Sequence, residues 1–181
     1  MNDVLSANHL IKDAKAAYKQ GDYLAAAGLY NAAADSYRAS GDLLTAAEMC
    51  NNSSVAYLQG GDSQAALEAV QDTPAQFAAA GDVRCQGLAL GNLASALESS
   101  GRLDEAIAAY QHSAEVLQEA GESQLRSSVL QSLSALQLRT GHQLEALATM
   151  QAGIEQIEKP TVQQRALKKL LRMPFKLLNG S

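Results

Sequence analysis

Tryptophan is absent from this 181-residue chain, proline occurs three times, and aromatic residues make up 4% of it. A core built on large rings is therefore excluded, and alanine does much of the apolar work, which suits helices packed close together. Length fits one compact domain or one short solenoid. No stretch approaches eighteen uninterrupted apolar residues, so no membrane-spanning helix is expected. The opening "MNDVLSANHLIKDAK" has no basic segment followed by an apolar core, which argues against a secretory signal. Two cysteines, Cys50 and Cys85, fall at helical positions and read as reduced side chains, so a cytoplasmic location is expected.

Catalytic patterns are missing too. His9, His112 and His142 lie far apart and form no His-x-x-x-His metal spacing. There is no phosphate-binding G-x-x-x-x-G-K-[ST] stretch, no twelve-residue calcium loop, and no Cys–His or Ser–His–Asp set suggested by position. No cofactor, no metal and no enzyme activity are expected. The body is too acidic to favour nucleic acid through phosphate contacts.

What is present is a comb. Glycine recurs at Gly21, Gly41, Gly61, Gly81, Gly101, Gly121 and Gly141, each followed by a polar residue: Asp22, Asp42, Asp62, Asp82, Arg102, Glu122 and His142. A helix commonly ends on a left-handed residue, which glycine adopts without a Cβ clash. The polar residue after it stands at the next helix start, where a side-chain oxygen can accept from free N–H groups. Between glycines apolar residues keep helical spacing, as in Leu103, Ala106, Ile107, Tyr110, Ala114 and Leu117. Each tooth is then a helix of about seventeen residues, roughly 25 Å long. The phase shows in the fifth residue after alternate glycines: Ala26, Ala66, Ala106 and Ala146, against Ala46, Gln86 and Arg126 in between. A small residue marks a close helix crossing. The repeat is forty residues, an A helix and a B helix with a glycine turn after each.

The stretch "LALGNLASALESSGRLDEAIAAYQHSAEVLQEAGE" resembles a tetratricopeptide repeat, in the forty-residue variety with a Leu-Gly-Asn motif in helix A. Leu90, Leu93, Leu97, Gly101, Ala106 and Tyr110 fill that family's positions, with Ala94 where glycine is usual and Ser113 where alanine is usual. "KAAYKQGDYLAAAGLYNAAADSY" matches again, "VAYLQGGDSQAALEAV" and "LQLRTGHQLEALATM" more loosely, and the likeness covers residues 5 to 158. It implies an all-α, right-handed α-solenoid of four antiparallel helix pairs with a C-terminal capping helix. The repeats are expected at about 3–40, 43–80, 83–120 and 123–158 within a solenoid domain 1–160, followed by a basic segment 161–181.

Two features depart from the comb. Pro74 falls within the second B helix, where it is expected to kink the helix under cover of Phe77 or to act as a hinge. Beyond residue 158 the sequence "KPTVQQRALKKLLRMPFKLLNGS" breaks the comb. Val162, Ala166, Leu167, Leu170 and Leu171 suit a cap over 161–173, ended by Pro174. Residues 159–181 carry six Lys and Arg and no acid; taking that +6 from the chain's net −5 leaves residues 1–158 at −11. The basic amphipathic end with Phe175, Leu177 and Leu178 either caps the solenoid, its charge balanced by the acidic body, or meets an acidic membrane surface or partner.

Binding by shape remains. In paired-helix solenoids the A helices line the concave face. Counting back nine, six and ten residues from each A–B glycine gives Lys12, Asn52, Asn92 and Ser132; Lys15, Val55, Ser95 and Ala135; and Ile11, Asn51, Gly91 and Gln131. The candidate peptide groove is thus Lys12, Lys15, Asn51, Asn52, Asn92, Ser95, Gln131 and Ser132. The resemblance implies that Asn92 and its counterpart Asn52 hold the backbone of an extended peptide, and both are expected to face solvent in the free protein. Lys12, Lys15 and Lys19 favour acidic side chains on that partner. Of the Lys, Asn and Arg set with which some relatives grip the acidic tails of chaperones, only Asn52 matches. The expected function is a non-catalytic adaptor that binds a protein or peptide. The alternatives are a self-associating module, hence a homo-oligomer, and a peripheral membrane tether through residues 165 to 178.

Overall fold

The computed structural model describes residues 2–155 and Arg165. Its helices run in order α1 (Asn2–Gln20), α2 (Tyr23–Ala39), α3 (Leu43–Gln59), α4 (Ser63–Val70), α5 (Thr73–Ala79), α6 (Val83–Ser99), α7 (Leu103–Glu119), α8 (Ser123–Arg139) and α9 (Gln143–Glu155), with no strand among the described residues. Helices α1 to α4 pack in succession, as do α5 to α9; α4 also packs on α6, and α3 touches α5 and α6. The result is an α-solenoid whose A helices are α1, α3, α6 and α8. Apart from Arg165, the expected cap over 161–173 lies outside the described residues.

All seven glycines of the comb have positive φ, between 72° and 84°. At Gly101 (φ 77°) the glycine N–H donates to the Glu98 carbonyl at 3.1 Å, and the Arg102 N–H reaches the Leu97 carbonyl at 2.9 Å. This double closure is the Schellman motif, and it satisfies carbonyls that a helix end otherwise leaves open. The residue after the glycine then caps the next helix, but only where it is aspartate. Asp22, Asp42, Asp62 and Asp82 accept from the amides of Ala25, Thr45, Ala65 and Cys85. Arg102 and Glu122 make no such bond. Arginine has no acceptor, and the Glu122 carboxylate is held by Arg84 Nε at 2.8 Å instead.

Pro74 does not kink one helix; it starts a new one. The second B helix is cut at Gln71 and Asp72, and Pro74 stands in the first turn of α5, where its missing N–H costs no hydrogen bond. Thr73 Oγ1 donates to the Val70 carbonyl across the cut, and Phe77, 1% exposed, anchors α5 against Ala47 and Ala89.

Close crossing follows from the small residues. Ala26, Ala66, Ala106 and Ala146 are all 0% exposed. Within each pair, two further positions 26 residues apart are small: Ala7 and Ala33, Ala47 and Thr73, Gly87 and Ser113, Ser127 and Gly153. In the third pair Ser113 Oγ donates to the Gly87 carbonyl at 2.7 Å; in the fourth the roles swap, and Ser127 Oγ donates to the Gly153 carbonyl at 2.8 Å. Glycine there leaves the backbone uncovered, so the serine hydroxyl of the other helix reaches it. Between repeats Ser53 Oγ likewise reaches the Ala27 carbonyl at 3.1 Å. Tyr57 packs against both the N-terminal core and the core of the later repeats, so the two are continuous.

Two substitutions separate backbone strain from crowding. At Gly101 a Cβ meets nothing within 4 Å, so Gly101→Ala is strained only by its left-handed backbone and should cost on the order of 1–2 kcal/mol in urea denaturation. Asparagine there should recover part of it, and equal stability of the alanine variant would contradict the turn geometry. At Gly87 a Cβ falls 2.6 Å from Leu117 Cγ in a helical backbone. Gly87→Ala should therefore lose about 1–3 kcal/mol by overpacking, and a second change, Leu117→Ala, should make the alanine at 87 far better tolerated.

Candidate binding face on the A helices

The face begins on α1. Exposed Lys12 and Lys15 line a 560 Å³ depression with Asn8, Ile11, Ala16 and Lys19. Spacing of three and four residues puts the three lysines on one side of the helix, and no acid lines the depression among the described residues.

Further along, the asparagines do not stand as two free equivalents. Asn52 is exposed, but Asn92 is half-buried, and its Nδ2 donates to Asn51 Oδ1 at 2.9 Å. The expectation that Asn52 and Asn92 both face solvent is corrected at Asn92. Adjacent A helices run parallel with an offset of one residue, so position 92 meets 51 and not 52. The same offset of 41 brings Arg139 Nη2 onto Glu98 Oε1 at 2.8 Å. The Asn51–Asn92 pair still leaves one N–H₂ hydrogen on Asn92, the Asn92 oxygen and the Asn51 amide group unused by this bond.

Ser95 is half-buried, and its hydroxyl donates to the Gly91 carbonyl at 3.0 Å and lies 3.0 Å from the Tyr110 hydroxyl. Tyr110, 4% exposed, reaches from α7 and donates to Glu98 Oε2 at 3.0 Å. Glu98 thus accepts from Tyr110 on one oxygen and from Arg139 on the other, which ties α6, α7 and α8 together. Gln131 is exposed on α8 beside Ser132. Of the eight candidate residues, the structure joins Asn51 to Asn92, and Lys12 and Lys15 share the α1 depression; Ser95 is bonded within the solenoid to Gly91 and Tyr110.

Tyr110, Glu98 and Arg139 are additions that the repeat count did not single out. A second hollow of 360 Å³ opens between α2, α3 and the broken α4–α5, lined by Asn31, Asp35, Arg38, Cys50, Glu68 and Asp72 among others. Arg38 Nη2 donates to the buried Cys50 thiol at 2.8 Å. Burial pushes that thiol up, Arg38 opposing, and burial with Asp82 nearby holds the Cys85 thiol at about 11. Both cysteines are free, and thiols so held are poor nucleophiles near neutral pH. Among the described residues no group of three or more His, Cys, Asp or Glu is placed to hold a metal ion.

Burial first, and the Glu98 charge with it, pushes the Tyr110 hydroxyl up to about 12, against bonds from Ser95 and Ser132 that pull it down. An unfolded tyrosine titrates near 10, so the neutral hydroxyl's contribution to stability is complete below about pH 10 and is lost as pH rises from there toward about 12. Urea denaturation at about pH 9 and about pH 11 should show the wild type losing its advantage over Tyr110→Phe. An advantage that stays constant would mean the ring is not held in this environment.

Residues 86–159 match the family model described as tetratricopeptide repeat. No curated protein matches the chain. The matched segment covers α6 through α9, the region with the glycine turns, the Gly87–Ser113 and Ser127–Gly153 crossings and the Tyr110 network. Residues 86–159 thus carry the tetratricopeptide repeat.

Proposed function

We propose that this protein is a non-catalytic adaptor that holds an extended protein segment along the groove of its A helices. Tetratricopeptide repeats generally serve protein–protein interaction; the groove, its residues and the partner's chemistry are the proposal. The observation that carries it is the Asn51–Asn92 pair, a preorganised polar rung on the A-helix face. The bond between the two amides orients both, so the Asn92 oxygen accepts a peptide N–H and the Asn51 amide nitrogen donates to a peptide carbonyl. Little rotamer entropy is left to lose on binding. Exposed Asn52, Gln131 and Ser132 adjoin that rung on either side, and Lys12 and Lys15 draw acidic side chains to the α1 end.

No helix of the described residues is long and apolar enough to cross a membrane, and the basic segment on which a peripheral tether depends lies beyond them.

The test compares quantitative capture from native lysate by the wild type and by Asn51→Ala/Asn92→Ala. Each net hydrogen bond is worth about 0.5–1.5 kcal/mol. Proteins retained by the wild type should bind the double variant roughly 10- to 100-fold more weakly by calorimetry, at 1.4 kcal/mol per decade. The circular dichroism spectrum should not change, because neither asparagine is fully buried. Unchanged affinity would remove this face from the mechanism.

A further inference from the structure

Phe77 does more than anchor its own helix. It is 1% exposed and packs against Ala47 on α3 and Ala89 on α6, both buried, with Cys85 partly buried beside them. These residues form a cluster apart from the two main cores. Tyr37 and Leu117 stand forty residues to either side of Phe77, on the unbroken helices α2 and α7. Each meets the A helix of its own pair: the Tyr37 hydroxyl donates to Asn8 Oδ1 on α1 at 3.2 Å, and Leu117 lies against Gly87 on α6. Phe77 meets its own A helix at Ala47 and the following A helix as well, at Ala89. The cut at Gln71 and Asp72 gives α5 a direction of its own, and α5 packs on both α3 and α6.

The residues that the ring touches adjoin the asparagine rung. Ala47 stands one turn before Asn51 on α3, and Ala89 one turn before Asn92 on α6. Among the described residues, α3 and α6 also make the most extensive contact between successive A helices. Alanine on both sides brings both backbones up to the ring, so the width of the ring sets how far apart α3 and α6 stand. The rung at 2.9 Å tolerates little change in that distance, because an N–H···O bond holds only over about 2.7–3.2 Å. Helix α5 has seven residues, and its N-cap residue Asp72 makes no side-chain capping bond. So short a helix is not stable alone, and the buried ring fixes its place.

We infer that Phe77 is a positioning residue for the groove: wedged between α3 and α6, it holds them at the separation at which Asn92 donates to Asn51. Docking of α5 then governs the rung, and displacement of α5 opens it. The positioning stands without any partner; only its consequence for binding rests on the groove function proposed above.

Nuclear magnetic resonance on the full chain tests the positioning in the absence of a partner. The Asn92 side-chain amide signal is identified by its loss in Asn92→Ala, and Asn51→Ala gives its position with the rung broken. Phe77→Ala should move the signal most of the way to that position. Phe77→Leu, which keeps most of the buried volume, should leave it near its wild-type position. Leu136→Ala removes a fully buried side chain from α8 and should not move it. If Phe77→Ala does not fold, Phe77→Val should move the signal in the same direction by a smaller step. An unmoved signal in the folded variant would overturn the inference. So would an equal shift in Leu136→Ala, or one as large in Phe77→Leu, since general loosening and not the width of the ring would then set the rung. Proteins captured by the wild type should bind Phe77→Ala about as weakly as they bind Asn51→Ala/Asn92→Ala. A shifted signal with unchanged affinity would support the positioning and count against the groove function alone.

Discussion

A left-handed residue every twenty positions is the constraint on which the rest depends. The Schellman closure at each glycine ends one helix and, two residues later, the next begins, so helices α2, α3, α6, α7 and α8 all have seventeen residues. Equal helices joined by equal turns stack with one geometry, repeat after repeat. Only then can a position forty residues on have the same neighbours, and only then do small residues in register become a line of close crossings. Strain at these turns is avoided by glycine's missing Cβ, not by tertiary contacts, since a Cβ at each comb glycine would meet open space.

Small side chains at the crossings let helices come close enough for hydroxyls to bond across them. The serine-to-carbonyl bonds at Gly87 and Gly153 use the same two positions with the partners exchanged. What the third and fourth pairs share is thus the spacing, one small hydroxyl opposite one bare backbone, and not the identity at either place. Where the pattern carries Thr73 opposite Ala47, the B helix is also cut, and Pro74 opens α5 at no hydrogen-bond cost. The cut leaves the 360 Å³ hollow beside α4 and α5.

The candidate face inherits this geometry. Parallel A helices one repeat apart place residues 41 apart in contact, which produces both the Asn51–Asn92 rung and the Glu98–Arg139 ion pair. The ion pair is largely in solvent on its Arg139 side and contributes little stability by itself. With Tyr110 bonded to the other Glu98 oxygen, it links α8 to α6 and α7.

Helix lengths, turn positions, the aspartate caps and the forty-residue period were legible in the sequence, because each follows from a preference of a few neighbouring residues: glycine for positive φ, aspartate for a free amide, alanine for a narrow crossing. Lys12, Lys15, Asn52, Gln131 and Ser132 were likewise placed on the exposed A-helix face by counting from a glycine. Counting could not give the lateral offset between helices. Pairing of Asn92 with Asn51 rather than a free row of Asn52 and Asn92, the reach of Tyr110 to Glu98, and the start of a new helix at Pro74 instead of a kink were decided by tertiary structure. A shift of one residue between parallel helices rotates a side chain by about 100° relative to its neighbour, and that shift is set by how the helices pack, which no local preference encodes.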